Sequence, residues 1–383
     1  MKKKMMTLLL GSAVGISSLM ALRPGDIAEE LSTVTWLQGG PVSMKDQDGK
    51  MMKAVVFLRS RSADAVETLQ MLQALNLRFA KQLECAAITP DSTAEAAALL
   101  QQSGISTVSF GTDNNFTQTQ KFMESFPVFP MAFLTSPEGM VLWSGEAADL
   151  PEAAASAAEG KLNVNDQKKL SEHLDRMLTA LREGKDDLIG KLSAEALKLD
   201  PGNAGILRLR LYDLESRYHF KEAFQTVMNE IKKVPKKARL YMLALELTAR
   251  HAELEEERHE LLEQLRKAEL RDDEINLLTW QLLQNTMDAD TLETAVALQK
   301  KIVTQKDGVN LVQQAAFDTT KALLLYRIGK PEEAYEIEKN LPELWKKAGV
   351  PQNVAAAEKR MAFYKAAADL KAGSAHEKKP QTM

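Results

Sequence analysis

The chain of 383 residues has one cysteine, Cys85. An intramolecular disulfide, a CxxC redox pair and a cysteine-based zinc site are therefore excluded. Histidine is scarce and uneven: His173, His219, His251, His259 and His376 are all five, so none falls in the first part of the chain. A Ser-His-Asp triad cannot be assembled there. Aromatic residues make up 6%, and no charge sign dominates, with 49 Lys and Arg against 53 Asp and Glu. A net charge of −4 gives no bulk electrostatic case for nucleic acid. Long apolar runs are also missing. The uncharged stretch Met5–Ala21 spans 17 residues, short of the ~20 that a bilayer-spanning helix needs.

That stretch follows Lys2, Lys3 and Lys4. A basic head and a short apolar run make the layout of a secretory signal peptide over residues 1–21, with cleavage expected after Ala21. With no cysteine nearby, a lipid anchor is excluded. Export is expected, to a periplasm first of all, with membrane attachment only through an uncleaved N-terminal segment. Charge then divides unevenly. Residues 22–160 carry 9 basic and 17 acidic side chains, and residues 161–383 carry 37 and 36. This shift predicts a domain boundary near 160 and argues further against nucleic acid.

The first domain is expected over residues 30–162. Ala54–Leu58 (AVVFL) is a continuous apolar run that predicts a central strand, bounded by Lys53 and Arg59. Helical spacing follows over Ala63–Leu83. Cys85–Ile88 predicts a second strand and Ala94–Gln102 a second helix. Ala132–Leu134 and Met140–Trp143 predict a hairpin around Ser136-Pro137-Glu138-Gly139. Ala148–Glu159 predicts a last helix with Asp149 as N-cap and Pro151 in its first turn. The order is β-α-β-α-β-β-α, that of an α/β thioredoxin-like domain.

Specific residues carry a resemblance. Trp36-Leu37-Gln38-Gly39-Gly40-Pro41-Val42 resembles the WxxG-x-P-V lead-in of exported thioredoxin-like redoxins. Phe57 resembles the phenylalanine that precedes their CxxC motif. Pro130–Leu134 with Glu138-Gly139 and Val141–Gly145 resembles their cis-proline strand and following hairpin. The resemblance implies Pro130 as the cis-proline, with Phe129 before it, at a site that contacts extended peptide. It places the two family cysteines at Ser62 and Ala65. Thiol–disulfide exchange needs a thiolate, and a serine oxygen forms no disulfide. Ser62 is expected to cap the following helix instead. Cys85, on a predicted central strand, is expected to be buried and inert. Phe126 and Phe129 either form an apolar peptide-binding edge or pack inward.

Residues 166–370 have almost no strand signal. Pro235 follows Pro201 by 34 residues; Leu207, Leu211 and Leu214 share a helical face, His219-Phe220-Lys221 makes a turn, and Ala223 and Val227 lead a second helix. Leu325–Tyr335 repeats the pattern around Gly329, Pro331 and Ala334. These features resemble tetratricopeptide repeats, which implies an all-α domain of stacked helix pairs that binds peptides or proteins. The bland alternative is a supporting helical bundle. His251, Glu255 and His259 would share one helical face, but their charged surroundings read as a solvated surface with no metal. Residues 371–383 read as a disordered tail.

The expected function is a non-catalytic, redox-inactive scaffold or chaperone-like adaptor that binds protein or peptide and uses no cofactor. Its two candidate surfaces are the vacated thioredoxin site (Ser62, Ala65, Phe129, Pro130) and the helical repeats. The alternative is an enzyme of the thiol–disulfide oxidoreductase type. It would work with a cysteine-bearing partner, or without a thiol through Asp64 or Glu146.

Overall fold

A computed structural model describes residues 22–123, 129–286, 288–302 and 311–377. The expected signal peptide lies outside them. The described chain divides into two compact units, residues 1–219 and 220–383.

The first unit is built on a six-stranded sheet in the order β1-β4-β3-β2-β5-β6. The strands are β1 (Thr35–Gln38), β2 (Met52–Phe57), β3 (Leu83–Thr89), β4 (Ser109–Thr112), β5 (Met131–Thr135) and β6 (Val141–Glu146). β2, β3 and β4 run parallel, and β5, β6 and the edge strand β1 are antiparallel to their neighbours. Helices α1 (Ala65–Arg78), α2 (Thr93–Ser103), α3 (Thr117–Met123) and α4 (Leu150–Ala158) connect or follow them. This is the thioredoxin-like α/β arrangement, with β1, β4 and α3 added to the expected order. β2 also includes Lys53, expected outside it. The Lys53 ammonium is buried but paired, at 2.7 Å from Glu84 and 3.5 Å from Asp46, which makes its burial affordable.

Alternation along the strands sends side chains to two core layers. Ala54, Val56, Leu58, Cys85 and Ala87 pack against Leu69 and Leu72 of α1 and Leu150 and Ala154 of α4. Val55, Phe57, Ile88, Met131 and Phe133 pack on the other face with Phe122 of α3. There the rings of Phe57, Phe122 and Phe133 meet with centroids 5.1–6.0 Å apart, separations at which aromatic pairs attract.

All-helical structure begins with α5 (Val164–Glu183), α6 (Asp186–Leu199) and α7 (Ala204–Ser216), which complete the first unit. Leu207, Leu211 and Leu214 are buried along α7 as their spacing predicts. The turn before the next helix is at Arg217–His219, with Tyr218 at φ 64°.

The second unit contains α8 (Phe220–Lys233), α9 (Ala238–Arg250), α10 (Glu255–Lys267), α11 (Asp272–Asn285), α12 (Ala289–Gln299), α13 (Leu311–Arg327), α14 (Pro331–Glu338), α15 (Leu341–Lys347) and α16 (Gln352–Glu377). Within α9–α16, most helices pack on a sequence neighbour and several on the helix two places along, as in α9 on α11, α10 on α12 and α14 on α16. Gly329, at φ 76°, and Pro331 separate α13 from α14, and Ala334 is fully buried where helices approach. Of the tail expected over residues 371–383, residues 378–383 lie outside the described residues; up to Glu377 the chain continues α16, and the Lys371 ammonium donates to the Gly329 carbonyl at 2.8 Å. Among the described residues, no helix is long and apolar enough to cross a membrane.

Candidate functional site

The parallel strands β2, β3 and β4 end together, so the loops that leave them meet at one edge of the sheet. In open α/β sheets ligands bind outside these carboxyl ends. The cis Phe129–Pro130 bond enters β5, antiparallel to β2, at the same edge.

Arg59, just past β2, organises this edge. Its Nη1 donates to Oδ1 of Asp91 at 2.8 Å. Its guanidinium lies 5.0 Å from the ring centroid of Phe116 and 4.9 Å from that of Phe129. Each contact is a cation–π attraction of about 0.5–1 kcal/mol at an exposed site. Asp91 Oδ2 also accepts from the Ser60 N–H at 2.6 Å and the Thr89 hydroxyl at 3.0 Å. Burial pushes the Asp91 carboxyl up, but the Arg59, Ser60 and Thr89 hydrogen bonds outweigh it and hold the group below its ordinary value. A second arginine follows the same pattern, with Arg61 2.5 Å from Glu95. Glu95 also closes a capping box with Ser92 on α2. Phe116 adopts φ 56°, uncommon for a bulky side chain. The Asp113 carbonyl accepts its N–H, and the Asp113 carboxylate is fixed by the N–H and hydroxyl of Thr119.

Four residues were expected to form the vacated site. Pro130 is cis and half-buried. Phe129 is half-buried and packs partly against the second core layer beneath Arg59, so its ring is neither an open apolar edge nor fully internal. Phe126 lies outside the described residues. Ala65 is 1% exposed and belongs to the core, under the loop. Ser62 does not cap α1. Its hydroxyl donates back to the Arg59 carbonyl at 2.9 Å, and the N-cap position falls to Asp64, whose side chain makes no cap bond. The loop turns once more before the helix begins, with the Ala65 N–H on the Ser62 carbonyl, and this moves the helix start two residues on.

Cys85 is a free, buried thiol on β3, and burial pushes its pKa far above the ordinary range. Such a thiol stays protonated and unreactive. Glu146, one candidate acid of the enzymatic alternative, forms an ion pair with Arg208 of α7. The proposed histidine face does not form on one helix. α9 ends at Arg250, His251 stacks on Phe220 at 3.9 Å, and His259 on α10 faces Asp290 at 3.6 Å. Arg59 escaped sequence reasoning because its partners, at positions 91, 116 and 129, are far from it in the chain.

No family model and no curated protein matches the sequence. Among solved structures, the chain is similar to a candidate protein disulfide isomerase from Bacteroides thetaiotaomicron. The match has 18% identity and a TM-score of 0.32, over 37% of this chain and 93% of that one. It is also similar to the thioredoxin domain of a thiol-disulfide oxidoreductase from Bacteroides vulgatus, at 17% identity and TM-score 0.28, over 37% of this chain and 99% of that one. A third is the bacterioferritin comigratory protein of Xanthomonas campestris, with 15% identity and TM-score 0.30 over 36% and 98%. At these values the likeness concerns the fold of the N-terminal part alone.

Proposed function

We propose that this chain is an exported, non-catalytic protein- or peptide-binding scaffold, chaperone-like or adaptor-like, in which a redox-inactive thioredoxin-like domain precedes tetratricopeptide-like helical repeats. The observation that carries the reading is the loop after β2. Where the family resemblance places a nucleophilic cysteine, Ser62 is tied to the Arg59 carbonyl, and the sole thiol of the chain is buried on a central strand. Chemistry by thiolate has no nucleophile there, yet the sheet edge that would receive an extended peptide is retained. The packing of helices on second neighbours supports a stack rather than a single bundle. Export rests on the basic and apolar N-terminal segment.

The test uses the full mature chain and a permanently unfolded protein, reduced carboxymethylated α-lactalbumin labelled with fluorescein. The reading expects a saturable rise in anisotropy with no covalent adduct. Absence of binding would contradict it.

A further inference from the structure

The edge that carries Arg59 has more built into it than a closed loop needs. The guanidinium lies over two phenyl rings, those of Phe116 and Phe129, and is tethered at one corner, Nη1, by Asp91. Among the described residues, its Nε and Nη2 have no partner, and the side chain is 41% exposed. Nε and Nη2 form one side of the guanidinium fork, whose spacing matches the two oxygens of a carboxylate. Holding the group in place before binding reduces the entropy lost on recognition.

We infer that Arg59 is the anchor for a carboxylate presented by the bound peptide, received bidentately on Nε and Nη2 beside Phe116 and Phe129. This rests on the peptide-binding reading and names the chemistry of its ligand. Asp91 does not block the anion. Its charge is already met by three donors, Arg59, Ser60 N–H and the Thr89 hydroxyl, on the tethered corner of the guanidinium. Ser62 closes the loop behind Arg59 through the Arg59 carbonyl and leaves the fork side untouched. Arg61 is a poorer candidate: Glu95 holds it at one end, but it is 83% exposed and, among the described residues, has no ring beside it.

The carboxylate could come from a C-terminus or from an Asp or Glu side chain, and the experiment separates the two. Three pools of random decapeptides are passed over the immobilised full chain. One has free C-termini and no Asp or Glu, one is amidated and contains Asp and Glu, and one is amidated and contains neither. Retention is read by quantitative mass spectrometry. Retention of the first pool identifies a C-terminal carboxylate, retention of the second a side-chain carboxylate, and the third is expected to pass through. Arg59→Ala and Arg59→Lys should each lower retention roughly tenfold or more, the lysine failing because it keeps the charge but loses the fork. Asp91→Asn, which loosens the tether that orients the guanidinium, should lower retention by less than Arg59→Ala, and the discrimination between pools by the wild-type chain is a readout that misfolding of a variant cannot imitate. Equal retention of all three pools, or full retention by Arg59→Lys, would overturn the carboxylate anchor while leaving peptide binding intact. Retention of none would overturn both.

Discussion

Arg59 and Asp91 close the carboxyl edge of the sheet by joining the ends of two parallel neighbours, β2 and β3, with Nη1 and Oδ1 at 2.8 Å. The pair is half in water, with side-chain exposures of 41% and 14%. Its worth to stability is therefore modest, and its main effect is to fix where the guanidinium points.

The Asp91 carboxyl, held low by its donors, gives a titration prediction. A depressed folded pKa contributes stability above the unfolded carboxylate value, and that contribution is lost as pH falls through the folded value. Carbon-13 NMR of the Asp91 carboxyl should show a midpoint below the ordinary value in the wild type and a higher one in Arg59→Ala. An unchanged midpoint would mean that Arg59 does not hold the charge.

Cys85 gives a second. At 1% exposure and with its thiol pushed far up, it should resist Ellman's reagent in the folded chain and react at once in guanidinium. Cys85→Ala should fold normally at a cost of about 1 kcal/mol in chemical denaturation, the loss of one small buried group. Rapid labelling of the native chain would contradict the buried placement.

Within the second unit, Glu338 on α14 is fully buried, and both Nε and Nη2 of Arg360 on α16 donate to its Oε1 at 3.0 and 2.8 Å. Burial raises the Glu338 pKa despite Arg360. Arg360→Met leaves a buried acid without its cation and should cost about 3–5 kcal/mol. The sign of the pH dependence follows. A raised folded pKa means that the native state binds the proton more tightly, so stability is fullest below the unfolded value and falls as pH rises toward the folded one. Arg360→Met should therefore melt lower at pH 8 than at pH 5. The opposite order would show that the carboxyl is not buried in the native state.

Glu146 at the end of β6 and Arg208 on α7 link the sheet to the helices that complete the first unit. The pair is largely covered, with side-chain exposures of 24% and 13%. Arg208→Ala should destabilise this unit by about 1–3 kcal/mol and speed limited proteolysis in the 159–163 linker. Unaltered cleavage would mean that the helices hold to the sheet without it.

The parts of the fold that were legible in the sequence are those whose signal is local. Ala54–Leu58 and Cys85–Ile88 are apolar runs that become buried central strands, and Ser136–Gly139 marks its own hairpin turn. β4 was not legible because Ser-Phe-Gly-Thr is only four residues long and is interrupted by Gly111, and it is made a strand by pairing with β3 and β1. α3 was missed because TQTQKFM is mostly polar and seven residues long, and only Phe122 and Met123 reach the second core layer. At the site, the cis Pro130 was foreseen from the family resemblance, whereas the Arg59 stack depends on contacts between residues as much as 70 positions apart.

The central claim is that this thioredoxin-like domain binds without thiol chemistry, and insulin reduction with dithiothreitol as electron donor tests it most directly. The full chain and its Cys85→Ser variant should both leave the rate at the dithiothreitol background. Turnover by the wild type that disappears in Cys85→Ser would contradict the account, because the one thiol in the chain would then be catalytic.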